Sequence, residues 1–193
     1  MLPPPIRILA IDPGLTNFGW SLVEYDLKTN NKTVLRYGTI TGKSLLKQQK
    51  DLQVEFEKRH IIVWELEPLL IEMILEMQPN YIVVEEPFAH IYIQAYAALV
   101  IVVQAVRTAA RKTIGKDIYL IAPKEAKKAI SNDGTAGKIA IQDAIANNLS
   151  ITIKPCKQNT PEALTEHACD SIAVAVAFIQ NQLLSILASS ALN

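Results

Sequence analysis

From residue 7 to residue 11 the chain alternates loosely, is apolar after Arg7 and carries enough β-branched residues to read as a strand, and Asp12 closes the run with a charge. Pro13-Gly14 then turns the chain, and residues 18–25 run back as a second predicted strand. Further strand signals lie at residues 33–40, 81–85 and 118–121. The first three strands follow one another across short gaps rich in turn residues, which predicts an antiparallel meander. The last two are short, apolar and separated by helical stretches, as in parallel crossovers. Residues 44–67 are helix-prone, and Pro68 either kinks that helix or starts a fresh one. Leu69, Leu70, Met73, Ile74 and Met77 then form an apolar stripe that stops before Pro79. Residues 90–113 predict a long helix that is apolar on nearly every side, and such a helix must be covered twice. One cover is the protein's own sheet, and the other is a partner subunit or a fully enclosing core. Residues 124–130, 136–147 and 160–187 predict three more helices, the last with Pro161 in its first turn. The order βββαβαβαα describes an α/β protein: a five-stranded mixed sheet, three antiparallel strands then two parallel ones, with helices on both faces.

Composition adds boundaries. A chain of 193 residues, half of them apolar and 20% charged, fits one domain with a real hydrophobic core. MLPPPIR is too short and proline-rich for a signal peptide, and the apolar stretch 91–106, with Gln94 and Gln104, is expected to fall short of a membrane span. Cys156 and Cys169 lack metal-ligand spacing, so a reducing, cytoplasmic location is expected. Net charge is zero, but its distribution is uneven. Acids dominate residues 51–86, whereas Arg107, Arg111, Lys112, Lys116, Lys124, Lys127, Lys128 and Lys138 make residues 107–138 basic. That asymmetry can serve a nucleic-acid face or simply a solvated helix face. His60 and His90 have no partner pattern, Trp20 is expected in the core, and Trp64 is expected to anchor the long helix it sits in. No P-loop, GxSxG or Cys–His pairing supports covalent hydrolase chemistry.

The acids carry the chemistry. Asp12 and Glu85-Glu86 both end apolar strands, and alternation cannot choose between the two glutamates because adjacent side chains point to opposite faces. In the last predicted helix, His167 and Asp170 are three apart and Glu166 and Asp170 four apart, so either pair can share a face. Hard divalent cations take oxygen ligands, and two of them can activate a water and stabilise the leaving oxygen of a phosphodiester. The residues alone leave two readings open: such a metal centre, or unrelated surface acids with one capping aspartate.

Four motifs in order resemble the RuvC family of Holliday-junction resolvases, in the RNase H-like and retroviral-integrase superfamily, over residues 6–182. IDPGLTNFGW is similar to the opening motif, YIVVEEPF to the second, APKEAKKAISNDGTAGK to a basic stretch, and HACDSIAVA to the last. The resemblance implies an RNase H-like fold and metal ligands at Asp12, Glu85, His167 and Asp170, with Glu86 and Glu166 as bystanders or supporting groups. It also implies that Phe88 engages the opened branch point. Lys127 and Lys138, eleven apart around a turn containing Gly134, would contact scissile-strand phosphates, with Lys138 assisting catalysis; Lys128 replaces Lys127 if the register slips by one. The implied reaction is cleavage of four-way DNA junctions with two Mg2+ ions, Asp12 bridging them, to give 5′-phosphates and 3′-hydroxyls. A homodimer through the helix around residues 91–106 would supply the two active sites that paired symmetric nicks require. A branch-migration complex is a further candidate partner.

Departures from the family pattern shape the expectations. Residues 43–76 are longer than a minimal member needs. His167 replaces an aspartate found in some members, which removes one negative charge and favours Mn2+ as well as Mg2+. A related nuclease cutting flaps or replication forks on the same fold is the alternative activity. Actin-like sugar kinases and ATPases share an aspartate-glycine turn, but their duplicated domains need a longer chain.

Overall fold

The computed structural model describes residues 4–47, 49, 57–88, 93–148, 150–154 and 164–190. Its centre is strand β1 (Ile6–Asp12), in which Ile8, Leu9, Ala10 and Ile11 are completely buried. A strand covered on both faces is continuously apolar, and this is why the run before Asp12 alternates so poorly. β1 pairs antiparallel with β2 (Asn17–Tyr25) and parallel with β4 (Tyr81–Glu85). β2 pairs antiparallel with β3 (Lys32–Thr41), and β4 pairs parallel with β5 (Tyr119–Ile121).

A sixth strand was not anticipated. β6 (Ile151–Ile153) pairs parallel with β3, so the predicted five-stranded sheet has six strands in the order β5-β4-β1-β2-β3-β6. Three residues, Ile-Thr-Ile, are too few for a periodic signal, and only the β3 edge makes them a strand.

Helices cover both faces, as expected. α1 (Gly42–Leu46) follows β3 directly, with Thr41 accepting from the Ser44 N–H at its start. α2 (Lys58–Met77) and α3 (Ile93–Ile114) pack on one face against Leu9, Ile11, Phe18, Leu22, Ile82 and Val84. α4 (Pro123–Ser131), α5 (Lys138–Ala146) and α6 (Glu166–Phe178) pack on the other, against Ile8, Ala10, Val23 and Val83. A π-helical turn (Ile179–Leu183) joins α6 to α7 (Leu184–Ser190).

Several expectations change. Of the two expectations for Pro68, a fresh helix does not arise: Pro68 lies inside α2, which stops at the left-handed Gln78 just before Pro79. The predicted helix over 44–67 divides into α1 and α2, with residues 48 and 50–56 outside the described residues. Trp64 does not anchor α2, because 53% of it is exposed. The last helix begins at Glu166 behind an N-cap, Thr165, while Pro161 lies outside the described residues, as do His90 and Cys156. α3 is not enclosed: Ile93, Tyr96, Val100 and Ile101 are exposed. Contrary to expectation, α3 and the run from Glu166 to Ser189 are each long and apolar enough to span a membrane. For α6 the cause is packing, since almost every residue from Ala168 to Phe178 is buried in the protein's own core.

Candidate metal centre

Asp12 ends β1, and β4 runs parallel beside it with Ile11 opposite Val84, so Glu85 emerges at the same edge of the sheet. α6 crosses that edge with its first turn. Candidate ligand atoms of Asp12, His167 and Asp170 all lie within 4.8 Å of one another. His167 Nδ1 is 2.7 Å from Asp12 Oδ2, close enough for the Nδ1–H tautomer to donate to the carboxylate. Glu85 stands outside that triad but feels it, because the charges on Asp12 and Asp170 both act on its carboxyl. Alternation left Glu85 and Glu86 open. Glu85 is the one facing these acids, whereas Glu86 lines a groove with Tyr96, Gln104 and Arg107 of α3.

Gly19 lets α6 come this close. It sits opposite Asp12 on β2, and a Cβ there would lie 2.1 Å from the His167 carbonyl oxygen and 2.5 Å from its carbon. The sequence motif contains this glycine, but nothing in the sequence says that a helix backbone rests on it.

Burial makes the cluster costly without a cation. Burial first, then the charges of Asp12 and Asp170, push the Glu85 carboxyl up to about 8. Asp170 is pushed to about 6 by burial and by Asp12, and Asp12 is itself raised by burial against the opposing pull of His167. His167 is raised through its bond to Asp12. Buried carboxylates that resist ionisation together are the donor set a divalent cation fits, since it replaces the protons and supplies the missing positive charge.

The linkage has a definite sign. The folded protein holds protons that the unfolded chain, with ordinary carboxyls near 4, has released, so this contribution is complete below about pH 4. It is lost as pH rises through about 6 and then about 8, the raised values of Asp170 and Glu85. In EDTA the melting temperature should therefore fall by roughly 5 °C or more between pH 5.5 and pH 8.5, with Mg2+ restoring much of the loss at the higher pH. Calorimetry showing a metal-free protein more stable at pH 8.5 would contradict this.

Comparison with known proteins gives the site its context. Residues 8–178 match the family model for crossover junction endodeoxyribonuclease RuvC. The chain belongs to the RuvC family. A RuvC from Prochlorococcus marinus (strain MIT 9312) is 30% identical over 164 residues, covering 82% of this chain and 92% of the relative. One from Alkaliphilus oremlandii is 27% identical over 162 residues, covering 84% and 90%. Among solved structures, Thermus thermophilus RuvC in complex with a Holliday junction substrate shares the fold, with a TM-score of 0.68 at 18% identity over 93% of this chain and 96% of that one. The RNase H-like architecture of the family thus carries the centre described above.

The other expected RuvC-type residues fall into distinct places. Lys127 of α4 acts electrostatically on both Glu85 and Asp170. It also lines a cleft of about 390 Å3 with Phe88, Pro123, Lys124, Gly134 and Thr135, and 62% of Phe88 is exposed. Lys128 instead lines a separate groove with Asn132, Gln180 and Asn181. Lys138 Nζ lies 2.6 Å from Glu166 Oε1, so Glu166 holds this lysine beside the first turn of α6. The basic stretch is only partly available for DNA. Arg107 and Arg111 bind Asp117 at 2.9 and 2.8 Å, and Lys112 binds Glu67 at 2.6 Å.

Proposed function

We propose that this RuvC-family endonuclease resolves four-way DNA junctions by paired, symmetric, metal-dependent nicks. The observation that supports this most is the convergence of Asp12, His167 and Asp170, with Glu85 beside them, from chain positions up to 158 residues apart. Asp12, Glu85, His167 and Asp170 would hold two divalent cations, Mg2+ or Mn2+. When bound, these activate a water and neutralise the leaving 3′-oxygen. The protein's share is positioning. β1 and β4 present two carboxylates at one edge, and α6 lays an imidazole and a third carboxylate across them, all four half-buried.

Lys127, facing two of these carboxylates, is placed to meet the scissile phosphate. Lys138, tethered to Glu166, is placed to take up a neighbouring phosphate. The exposed ring of Phe88 over its apolar cleft suits an unpaired base at the branch point, which would stack on it. Two such sites are needed for paired nicks, and the exposed Ile93, Tyr96, Val100 and Ile101 of α3 offer an apolar face for a second copy of the chain. DNA as substrate implies an intracellular enzyme.

A gel assay on a movable four-way junction, a flap and a plain duplex tests the reading. The junction should be nicked at symmetric positions in both strands, far faster than the other two. Preferential cutting of the flap would instead favour the fork- or flap-cleaving alternative. Because His167 supplies nitrogen where some members supply oxygen, Mn2+ should support cleavage at a rate at least comparable to Mg2+. A metal screen active with Mg2+ and silent with Mn2+ would count against His167 as a ligand.

A further inference from the structure

One row of the sheet carries three contacts to the first turn of α6. Asp12, Gly19 and Thr39 are successive partners across β1, β2 and β3. Above Asp12 lies the His167 ring, at 2.7 Å. Above Gly19 lies the His167 backbone, at a distance that admits no side chain. On Thr39, the hydroxyl lies 2.5 Å from that of Thr165, the residue that caps α6. Thr165 in turn accepts from the Ala168 N–H at 3.2 Å. A hydroxyl has one donor and two acceptor positions, so Thr165 can cap the helix and bond Thr39 at once.

From this geometry we infer that Thr39, two strands away from Asp12 and outside the set of candidate ligands, is a positioning residue for the metal centre. Packing in the core fixes the body of α6 from Ala168 to Phe178, whereas its first turn, with Thr165, Glu166 and His167 only half-buried, depends on local contacts. The Thr39–Thr165 bond adds a third point at the helix start and fixes the direction in which His167 projects. The pair is partly buried, so the bond is not one that water replaces at no cost. Capping alone does not need Thr39; holding the capped end over β3 does.

The inference rests on the metal-centre reading, and its test separates the two. Mn2+ binding to Thr39→Val, Thr39→Ser and the parent is measured by electron paramagnetic resonance, alongside junction cleavage at saturating DNA and a thermal melt. Thr39→Val keeps the shape and removes the hydroxyl. It should weaken Mn2+ binding about tenfold or more and lower kcat with little change in KM, while metal-free junction binding stays at the parental level. Thr39→Ser, which restores the hydroxyl, should return Mn2+ affinity to within about twofold. If Thr39→Val does not fold, Thr39→Ala is read by the same criteria. A parent that binds Mn2+ and cuts junctions, with Thr39→Val matching it in both, overturns the role of Thr39 and leaves the metal centre standing. So does a serine variant as impaired as the valine one. A parent that binds no Mn2+ and cuts no junction overturns both.

Discussion

Asp12→Asn should abolish junction cleavage, with a loss of at least about 10^3-fold in kcat, while leaving junction affinity within about twofold of the parent. Asparagine keeps the size of the side chain and its reach to His167 but removes the charge at the point where β1, β4 and α6 meet. Affinity should survive if, as proposed, it rests on phosphate contacts from Lys127 and Lys138, which lie on α4 and α5 rather than on β1. The variant has a second signature that needs no DNA. The Asp12 charge is among the causes holding Glu85 and Asp170 up, so removing it should let both ionise more readily. The metal-free melting temperature should then depend less on pH than in the parent. Cleavage at the parental rate, measured by single-turnover kinetics, would show that Asp12 is not a ligand.

Gly19→Ala should be nearly as damaging, although residue 19 has no side chain to offer the chemistry. The new methyl would sit 2.1 Å from the His167 carbonyl oxygen, 2.5 Å from the carbonyl carbon and 2.8 Å from Cβ. Two of those three atoms are backbone, so no rotamer change relieves the clash. Either β2 or the first turn of α6 must retreat by about an ångström to reach ordinary contact, and displacements of that size cost on the order of 10^2-fold in activity. Overpacking of this kind also costs about 1–3 kcal/mol of stability. Single-turnover cleavage and a thermal melt measured together would check the pair. A variant with parental activity would show that α6 does not rest on β2 as closely as described.

How much was legible in the sequence depended on whether the signal was local. Asp12 and the Glu85-Glu86 pair were legible because a charge closing a buried strand needs compensation. The spacing of His167 and Asp170 put them on one face of a helix, but the same spacing admitted Glu166, which pairs with Lys138 at the site's edge. What chose between Glu85 and Glu86 was the parallel pairing of β4 with β1, a long-range fact that alternation does not contain. β6 escaped notice because its three residues become a strand only against β3. Trp64 was misplaced because an apolar neighbourhood in sequence is not a face in space: Ile61 and Leu66 point inward while Trp64 points to solvent. The roles of Gly19 and Thr39 were hidden for the same reason. Each is defined by α6, about 130 to 150 residues further along the chain and packed against them only in the folded state.

The central claim is that Asp12, Glu85, His167 and Asp170 together hold divalent cations, and anomalous diffraction at the manganese edge tests it most directly. Crystals grown with Mn2+ should give anomalous density within coordination distance, about 2.0–2.3 Å, of Asp12, His167 and Asp170, with Glu85 completing the shell. An anomalous map with no density among these four residues, or with its strongest peak on another surface, would contradict the account.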